Sequence, residues 1–306
     1  MKKRLLAFAA AVCSIGILLS GCVSPSQIQE VFSRWEQELG GGSVSSSHSQ
    51  PSSVSGGFAG DALTVEELES KYSIAIKDPD RLLSDENGPE NCAIVDRTLE
   101  LYSKPAIDGF LKSLWRRNYD FSITFLDRDS DSLGETSYSN GHIRITIFAP
   151  RDTWNPAATN GITVETIAHE LGHAFHDALE YHYGMDELRE TWERLNAGYE
   201  YGGEWDAGAS SVFSYEYGMT DYYEDVATVF ENLAAYPSVT QARLVQTDCE
   251  PLYLKAKFLY TLMDECFDLS ESSLFDAYLA ANSRRGDDVD FEQSYEAFLQ
   301  TAGRAA

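Results

Sequence analysis

The chain is short of several things, and each shortage closes off a class of function. Cysteine occurs five times in 306 residues. No two cysteines form a C-x-x-C pair, so a thiolate zinc site is not suggested. Basic residues are outnumbered, 23 Lys and Arg against 49 Asp and Glu, for a formal net charge of −26 at pH 7. Such an acidic surface favours solubility and argues against nucleic acid or anionic lipid headgroups as partners. There is no internal repeat. The one long apolar run, residues 5–19, is too short and wrongly flanked for an ordinary membrane span. Histidine is scarce, with six in all, and that scarcity gives weight to where they stand.

The start of the chain reads as an address. Met1-Lys2-Lys3-Arg4 is a basic opening, residues 5–19 are apolar, and the run ends Leu19-Ser20-Gly21-Cys22. A small-small-Cys ending of this kind resembles the lipobox of bacterial lipoproteins. The resemblance implies a signal peptide over residues 1–21, cleavage before Cys22 and lipid on its thiol. Two or more acyl chains there anchor a protein stably. The expected location is the bacterial cell envelope, on the extracytoplasmic face, with the membrane contacted through the N-terminal lipid alone. Cleavage removes three positive charges and no negative ones, taking the charge from −26 to about −29. Residues 22–60 are then the lipidated N-terminus, with a short helix expected over 24–38 around Ile28, Val31, Phe32 and Trp35, and a tether over 40–60, rich in Ser and Gly, with too little apolar content to fold. The remaining cysteines, Cys92, Cys249 and Cys266, sit in an exported context that permits one disulfide with one thiol left over.

Residues 61–306 suffice for one large domain or two lobes sharing a core. Helical spacing is expected over residues 93–102, ended by Pro105, and over 106–116. The period then changes. Tyr119-Asp120-Phe121-Ser122-Ile123-Thr124-Phe125 alternates as a half-buried strand. Asn140-Gly141 marks a hairpin turn, and Ile143, Ile145 and Ile147 alternate on a second strand with one buried face. Asp127, Asp129 and Asp131 are similar to the start of a calcium loop. Ser132 stands where that loop needs Gly, and Tyr138 where it needs Glu, so a solvated acidic loop is expected instead. Asn155-Pro156 and Asn160-Gly161 read as turns. From residue 182 onward helical patterns dominate. The predicted fold is α+β: a small twisted sheet with the key helix in one lobe (61–181), and a mainly helical second lobe (182–306).

The key helix carries His169-Glu170-Leu171-Gly172-His173, an H-E-x-x-H pattern. Val164, Ile167, Leu171, Ala174, Phe175 and Ala178 form an apolar stripe at helical spacing, with Thr163 opening the helix. His169 and His173 lie one turn apart on the opposite face, so both reach one metal ion, and Zn²⁺ accepts nitrogen ligands in a tetrahedral site. Glu170 sits about a quarter-turn away, placed to act as a base without being a ligand. Gly172 leaves room for another segment. His176 shares the histidine face, but a straight helix does not aim three such side chains at one tetrahedral centre.

A catalytic zinc needs a third protein ligand. The best candidate lies in Tyr222-Tyr223-Glu224-Asp225-Val226-Ala227-Thr228-Val229-Phe230-Glu231. Val226, Val229, Phe230 and Leu233 make its core stripe, and Glu224 points the other way. Glu231 shares that face and Asp225 adjoins it, so both are rivals. The chain resembles the gluzincins, zinc peptidases with H-E-x-x-H and a downstream Glu on a second helix. More narrowly, HELGH followed by Y-x6-E is similar to the anthrax lethal-factor-like group, which includes secreted Pro-Pro endopeptidases. The resemblance covers roughly residues 100–235. It implies a zincin-like fold, one zinc per chain on His169, His173 and Glu224, Glu170 as general base and Tyr217 beside the metal as a catalytic residue. Tyr215, Tyr222 and Tyr223 are alternatives to Tyr217. The wider gluzincin pattern often carries an acid four residues beyond the third ligand, where this chain has Thr228.

These readings imply a lipid-anchored zinc metallopeptidase, an endopeptidase rather than an exopeptidase, acting on a peptide or protein substrate through a zinc-bound water. The strand over residues 143–147 either offers an extended substrate a partner for strand addition or is purely structural, depending on whether it has a free edge. The alternative class is a surface binding lipoprotein that keeps a zinc site and cleaves nothing.

Overall fold

The computed structural model describes residues 63–151, 161–286 and 289–305. The expected signal peptide, Cys22, the expected helix over 24–38, the expected tether, the expected Asn155-Pro156 turn and Asn160 lie outside the described residues.

Helix α1 (Val65–Tyr72) opens on a capping box, in which Thr64 and Glu67 each accept from the other's backbone N–H. After strand β1 (Ala75–Lys77) come α2 (Gly88–Tyr102) and α3 (Lys104–Arg116). Pro105 is accommodated in the first turn of α3, where its missing N–H costs nothing, so the break falls at Ser103. The sheet follows as β2 (Asp120–Leu126), β3 (Gly134–Ser139) and β4 (His142–Phe148). Its order is β1-β2-β4-β3, with β1, β2 and β4 parallel and β3 antiparallel to β4. Ser139 pairs with His142, leaving Asn140 and Gly141 as a two-residue turn, both at positive φ (50° and 75°). That is the mirror-image turn whose twist suits a hairpin.

Two expectations about the strands need correction. β2 alternates apolar and polar residues but is buried on both faces, Ser122 and Thr124 included, because it lies inside the sheet between β1 and β4. Ser122 Oγ meets His142 Nε2 at 2.9 Å, which satisfies one of those polar groups. Strand β4 is hydrogen-bonded on both sides, so no substrate can add to residues 143–147; among the described residues the edge beside the key helix belongs to β3.

The key helix is α4 (Val164–Tyr183), N-capped by Thr163, whose hydroxyl accepts from Thr166 N. Its apolar stripe is buried from Ile167 to Ala178, with Val164 partly buried, and Phe175 stacks between Tyr102 of α2 and Phe110 of α3. The chain continues through α5 (Met185–Arg194), two 3-10 turns (Ala209–Ser211 and Glu216–Met219), α6 (Tyr222–Ala235), α7 (Pro237–Leu244), α8 (Glu250–Cys266), α9 (Asp276–Arg285) and α10 (Phe291–Ala305). The fold is α+β, with its described strands all before α4 and helices after it. One hydrophobic core runs from Leu68 to Tyr295, and a smaller cluster gathers Ala209, Val212, Phe213 and Met219. Cys92, Cys249 and Cys266 are all free thiols.

What brings α4 and α6 together is Gly172. A Cβ placed there would stand 3.0 Å from Phe230 Cβ and 3.2 Å from Ala227 Cα, so α6 occupies the space a side chain would fill. The histidine face of α4 is therefore covered rather than solvated. Overpacking of this kind costs about 1–3 kcal/mol. Gly172→Val is expected to lower the thermal midpoint by several degrees and to weaken metal binding in the same protein. Calorimetry and metal titration check both, and an unchanged midpoint would mean the contact is not close.

Candidate metal centre

Three side chains converge in the space between α4 and α6. His169 Nε2 lies 3.2 Å from His173 Nε2 and 3.0 Å from Glu224 Oε2, and His173 Nε2 lies 3.6 Å from the same oxygen. Among the described residues this is the group of histidine, cysteine and acidic side chains whose donor atoms are close enough to hold one ion. The fit can be tested against zinc geometry. Bonds of about 2.0–2.1 Å at tetrahedral angles put neighbouring ligand atoms about 3.3–3.4 Å apart, and the three separations bracket that value. Zinc therefore fits the donor set in both chemistry and spacing.

The sequence places each of these groups for a physical reason. His169 and His173 are one turn apart on α4, and their rings meet edge to face with centroids 4.8 Å apart. Glu224 sits in the first turn of α6, which Asp221 caps by accepting from the N–H groups of Tyr223 and Glu224 at 2.8 and 3.0 Å. That cap fixes where the helix begins and so where Glu224 points. Burial pushes the Glu224 carboxyl up, but His169 and His173 outweigh it and hold the group well below the usual carboxylate range. Burial likewise works against a charged His169, yet Glu224 and Glu231 on either side raise it to about 10. A metal ion at Nε2 would take the place of that proton.

Both rival acids have other work. Glu231 Oε2 lies 3.1 Å from His169 Nδ1 and accepts from Tyr215 OH at 2.6 Å. It meets the His169 ring from behind, two helical turns beyond Glu224, where it could orient a ligand imidazole. The position four residues after Glu224 does not face His169: Thr228 is fully buried and turns its hydroxyl to Asp225 O at 2.9 Å. The acid behind the histidine is therefore Glu231, which the sequence offered only as a rival ligand on the face of Glu224. Asp225 points into the core, where Oδ2 meets Lys255 Nζ at 2.7 Å, Trp192 Nε1 at 2.7 Å and Tyr201 OH at 3.0 Å.

The tyrosines also separate. Tyr215 serves Glu231, and Tyr222 is buried with its hydroxyl 2.7 Å from His176 Nε2. His176 is thus outside the trio, and burial holds its imidazole neutral, down at about 3. Tyr217 is 47% exposed, its ring 5.9 Å from that of His169. Partial burial and the neighbouring Glu224 carboxylate push its phenol up to about 12, so it stays protonated. Tyr223 shares the rim, with its hydroxyl 3.5 Å from Met185 Sδ.

Glu170 is 5% exposed and stands beside the trio without joining it. Its carboxyl is raised by burial, against the opposing pull of His169, His173 and Thr136. The trio, Glu170, Tyr217 and Tyr223 line a cleft of about 520 Å³ bounded by β3, α4 and the start of α6. The acidic stretch with Asp127, Asp129 and Asp131 is exposed and contributes nothing to the site.

Metal titration separates these roles. Glu224→Ala should abolish tight binding of one zinc. Glu231→Ala should weaken it by about 10–100-fold, as loss of a group that orients a ligand does. Asp225→Asn, which removes no group that faces the site, should weaken it far less than Glu224→Ala wherever the protein is folded. Equal effects at Glu224 and Glu231 would contradict this division.

No family model matches the chain, and no curated protein matches it. Among solved structures it is similar to a candidate zinc-binding metallo-peptidase from Bacteroides caccae, at 17% identity over 78% of this chain and 89% of that one. The TM-score is 0.38, so the likeness is loose and the functional reading rests on this chain's own residues.

Proposed function

We propose that the chain is a zinc metallopeptidase, of the gluzincin kind and nearest to its lethal-factor-like group, which cleaves within peptide chains. The observation that carries this reading is the buried carboxylate of Glu170 beside, and outside, the trio of His169, His173 and Glu224. A structural zinc site is closed by four protein ligands and needs no base.

Bound zinc would supply Lewis acidity, lowering the pKa of a water toward about 7 and polarising a carbonyl. The rest falls to the protein. Glu170 accepts a proton on its carboxylate and passes it to the departing amine nitrogen. Tyr217, protonated at the cleft rim, donates its phenolic hydrogen to the oxyanion that develops on the scissile carbonyl. Glu231 keeps the His169 ring turned with Nε2 toward the ion. The substrate is an extended peptide whose backbone pairs with the outer edge of β3. Cys22 carries the lipid that holds the domain on the extracytoplasmic face of a bacterial envelope, a reading that rests on residues 1–22 alone.

Two substitutions test the reading. Glu170→Gln is nearly isosteric but cannot take the proton, so it should keep one zinc per chain and lose hydrolysis by several orders of magnitude in single-turnover assays. Tyr217→Phe should also keep the metal. Loss of an oxyanion donor costs about 2.7–4 kcal/mol, so kcat should fall by roughly a hundred- to a thousandfold with little change in KM. A wild-type protein that binds zinc and cleaves nothing in a broad peptide library would favour a binding lipoprotein instead.

A further inference from the structure

Strand β3 does more than close the sheet. Side chains two apart share a strand face, and on the face turned to α4 stand Gly134, Thr136 and Tyr138. Each meets the H-E-x-x-H segment. Tyr138 OH donates to the carbonyl oxygen of His173 at 3.0 Å. Thr136 Oγ1 lies 2.6 Å from Glu170 Oε2 and 3.1 Å from Glu170 O. Gly134 has no side chain, and a Cβ there would stand 2.6 Å from Glu170 Oε1 and 2.7 Å from its Cγ.

From this geometry we propose that Thr136 is a positioning residue for Glu170, with Gly134 supplying the space into which the carboxylate fits. The inference rests on the reading of Glu170 as the base. A glutamate has three side-chain torsions, and a general base works only within hydrogen-bond reach of the proton it takes. Among the described residues, the Thr136 hydroxyl is the hydrogen-bond donor that this buried carboxylate meets. Tying Oε2 to the strand leaves Oε1 to accept the proton. A purely structural role for Thr136, pinning β3 to α4, is already filled by Tyr138, and the shorter of the two Thr136 contacts is to the side chain rather than the backbone. The same strand offers its outer edge to the substrate backbone, so peptide and base are located by one element.

The experiment compares Thr136→Val, Thr136→Ser and Gly134→Ala in the zinc-loaded protein, and crystal structures of the zinc-free forms. Valine keeps the shape and strand preference of threonine without its hydroxyl. Gly134→Ala reaches the same carboxylate from its other side. Misplacing a reacting group by about 1 Å can cost a hundredfold. Thr136→Val should therefore lower kcat by roughly ten- to a hundredfold, with KM within about twofold. Zinc content should be unchanged, and Thr136→Ser should restore kcat to within about threefold. Adding Thr136→Val to Glu170→Gln should cost nothing further, because the hydroxyl acts through that carboxylate. In the crystals, the Glu170 carboxylate should leave its place over Gly134 in Thr136→Val and Gly134→Ala, and keep it in Thr136→Ser. Wild-type kcat in Thr136→Val, an additive loss in the double variant, or an undisturbed carboxylate in both the Val and Ala crystals would each overturn the proposal. If the wild type cleaves no peptide, the peptidase reading fails, and the crystals still decide whether Thr136 positions the carboxylate.

Discussion

The close approach of α4 and α6 is the constraint on which the site depends. It exists because residue 172 has no side chain, so that Ala227 and Phe230 can settle into the notch. Phe230 in turn stacks against Tyr102, whose hydroxyl donates to Ala168 O at 3.0 Å, one residue before the first histidine. Axial position, helix separation and the height of His169 above the core are thus fixed by one set of contacts.

The rotation of α6 about its own axis is fixed by charge. Glu224 and Asp225 are neighbours in sequence and face opposite ways. Asp225 and Lys255 are both fully buried, and burial pushes the carboxyl up and the ammonium down, each opposed by the other. Lys255 also lies over the ring of Phe213, 4.2 Å from its centroid. Burying an ion pair carries a desolvation cost that its attraction barely offsets, and removing one partner is strongly destabilising. Any twist of α6 that broke the pair would strand a charge in the core. The rear network thereby keeps Glu224 and Glu231 turned to the front.

Much of this was legible in the residues. The H-E-x-x-H register, the Thr163 cap, the Asn140-Gly141 hairpin and the helix bearing Glu224 all follow from periodicity and turn chemistry, which are local. What escaped was set by neighbours. Ser122 and Thr124 alternate with apolar residues as they would on a solvated face, yet β1 and β4 enclose the strand. β3, with the sequence Gly-Glu-Thr-Ser-Tyr-Ser, has no apolar alternation because its inward groups bond to α4 instead of filling a core. β4 looked available to a substrate because sequence order hides the fact that β2 and β3 flank it. Glu231 was visible as a residue on the right face, while its partner, the back of the His169 ring, depends on how α6 lies against α4.

The three convergent side chains come from two helices, with residues 174–223 between the second histidine and Glu224. An ion held by all three joins segments that the chain itself connects only through α5 and a stretch containing Gly198 and Gly202, both at positive φ. Such a link closes a long loop, and a ligand that binds only the folded form adds about 2.7 kcal/mol of stability at a hundred times its dissociation constant. Without it, Glu224 and Glu231 flank the His169 ring, one at each nitrogen, and keep a proton on it. With such an ion bound, the durability of the domain would become a function of the free metal around it, and the α4–α6 seam is the part of the fold that a chelating environment would touch first.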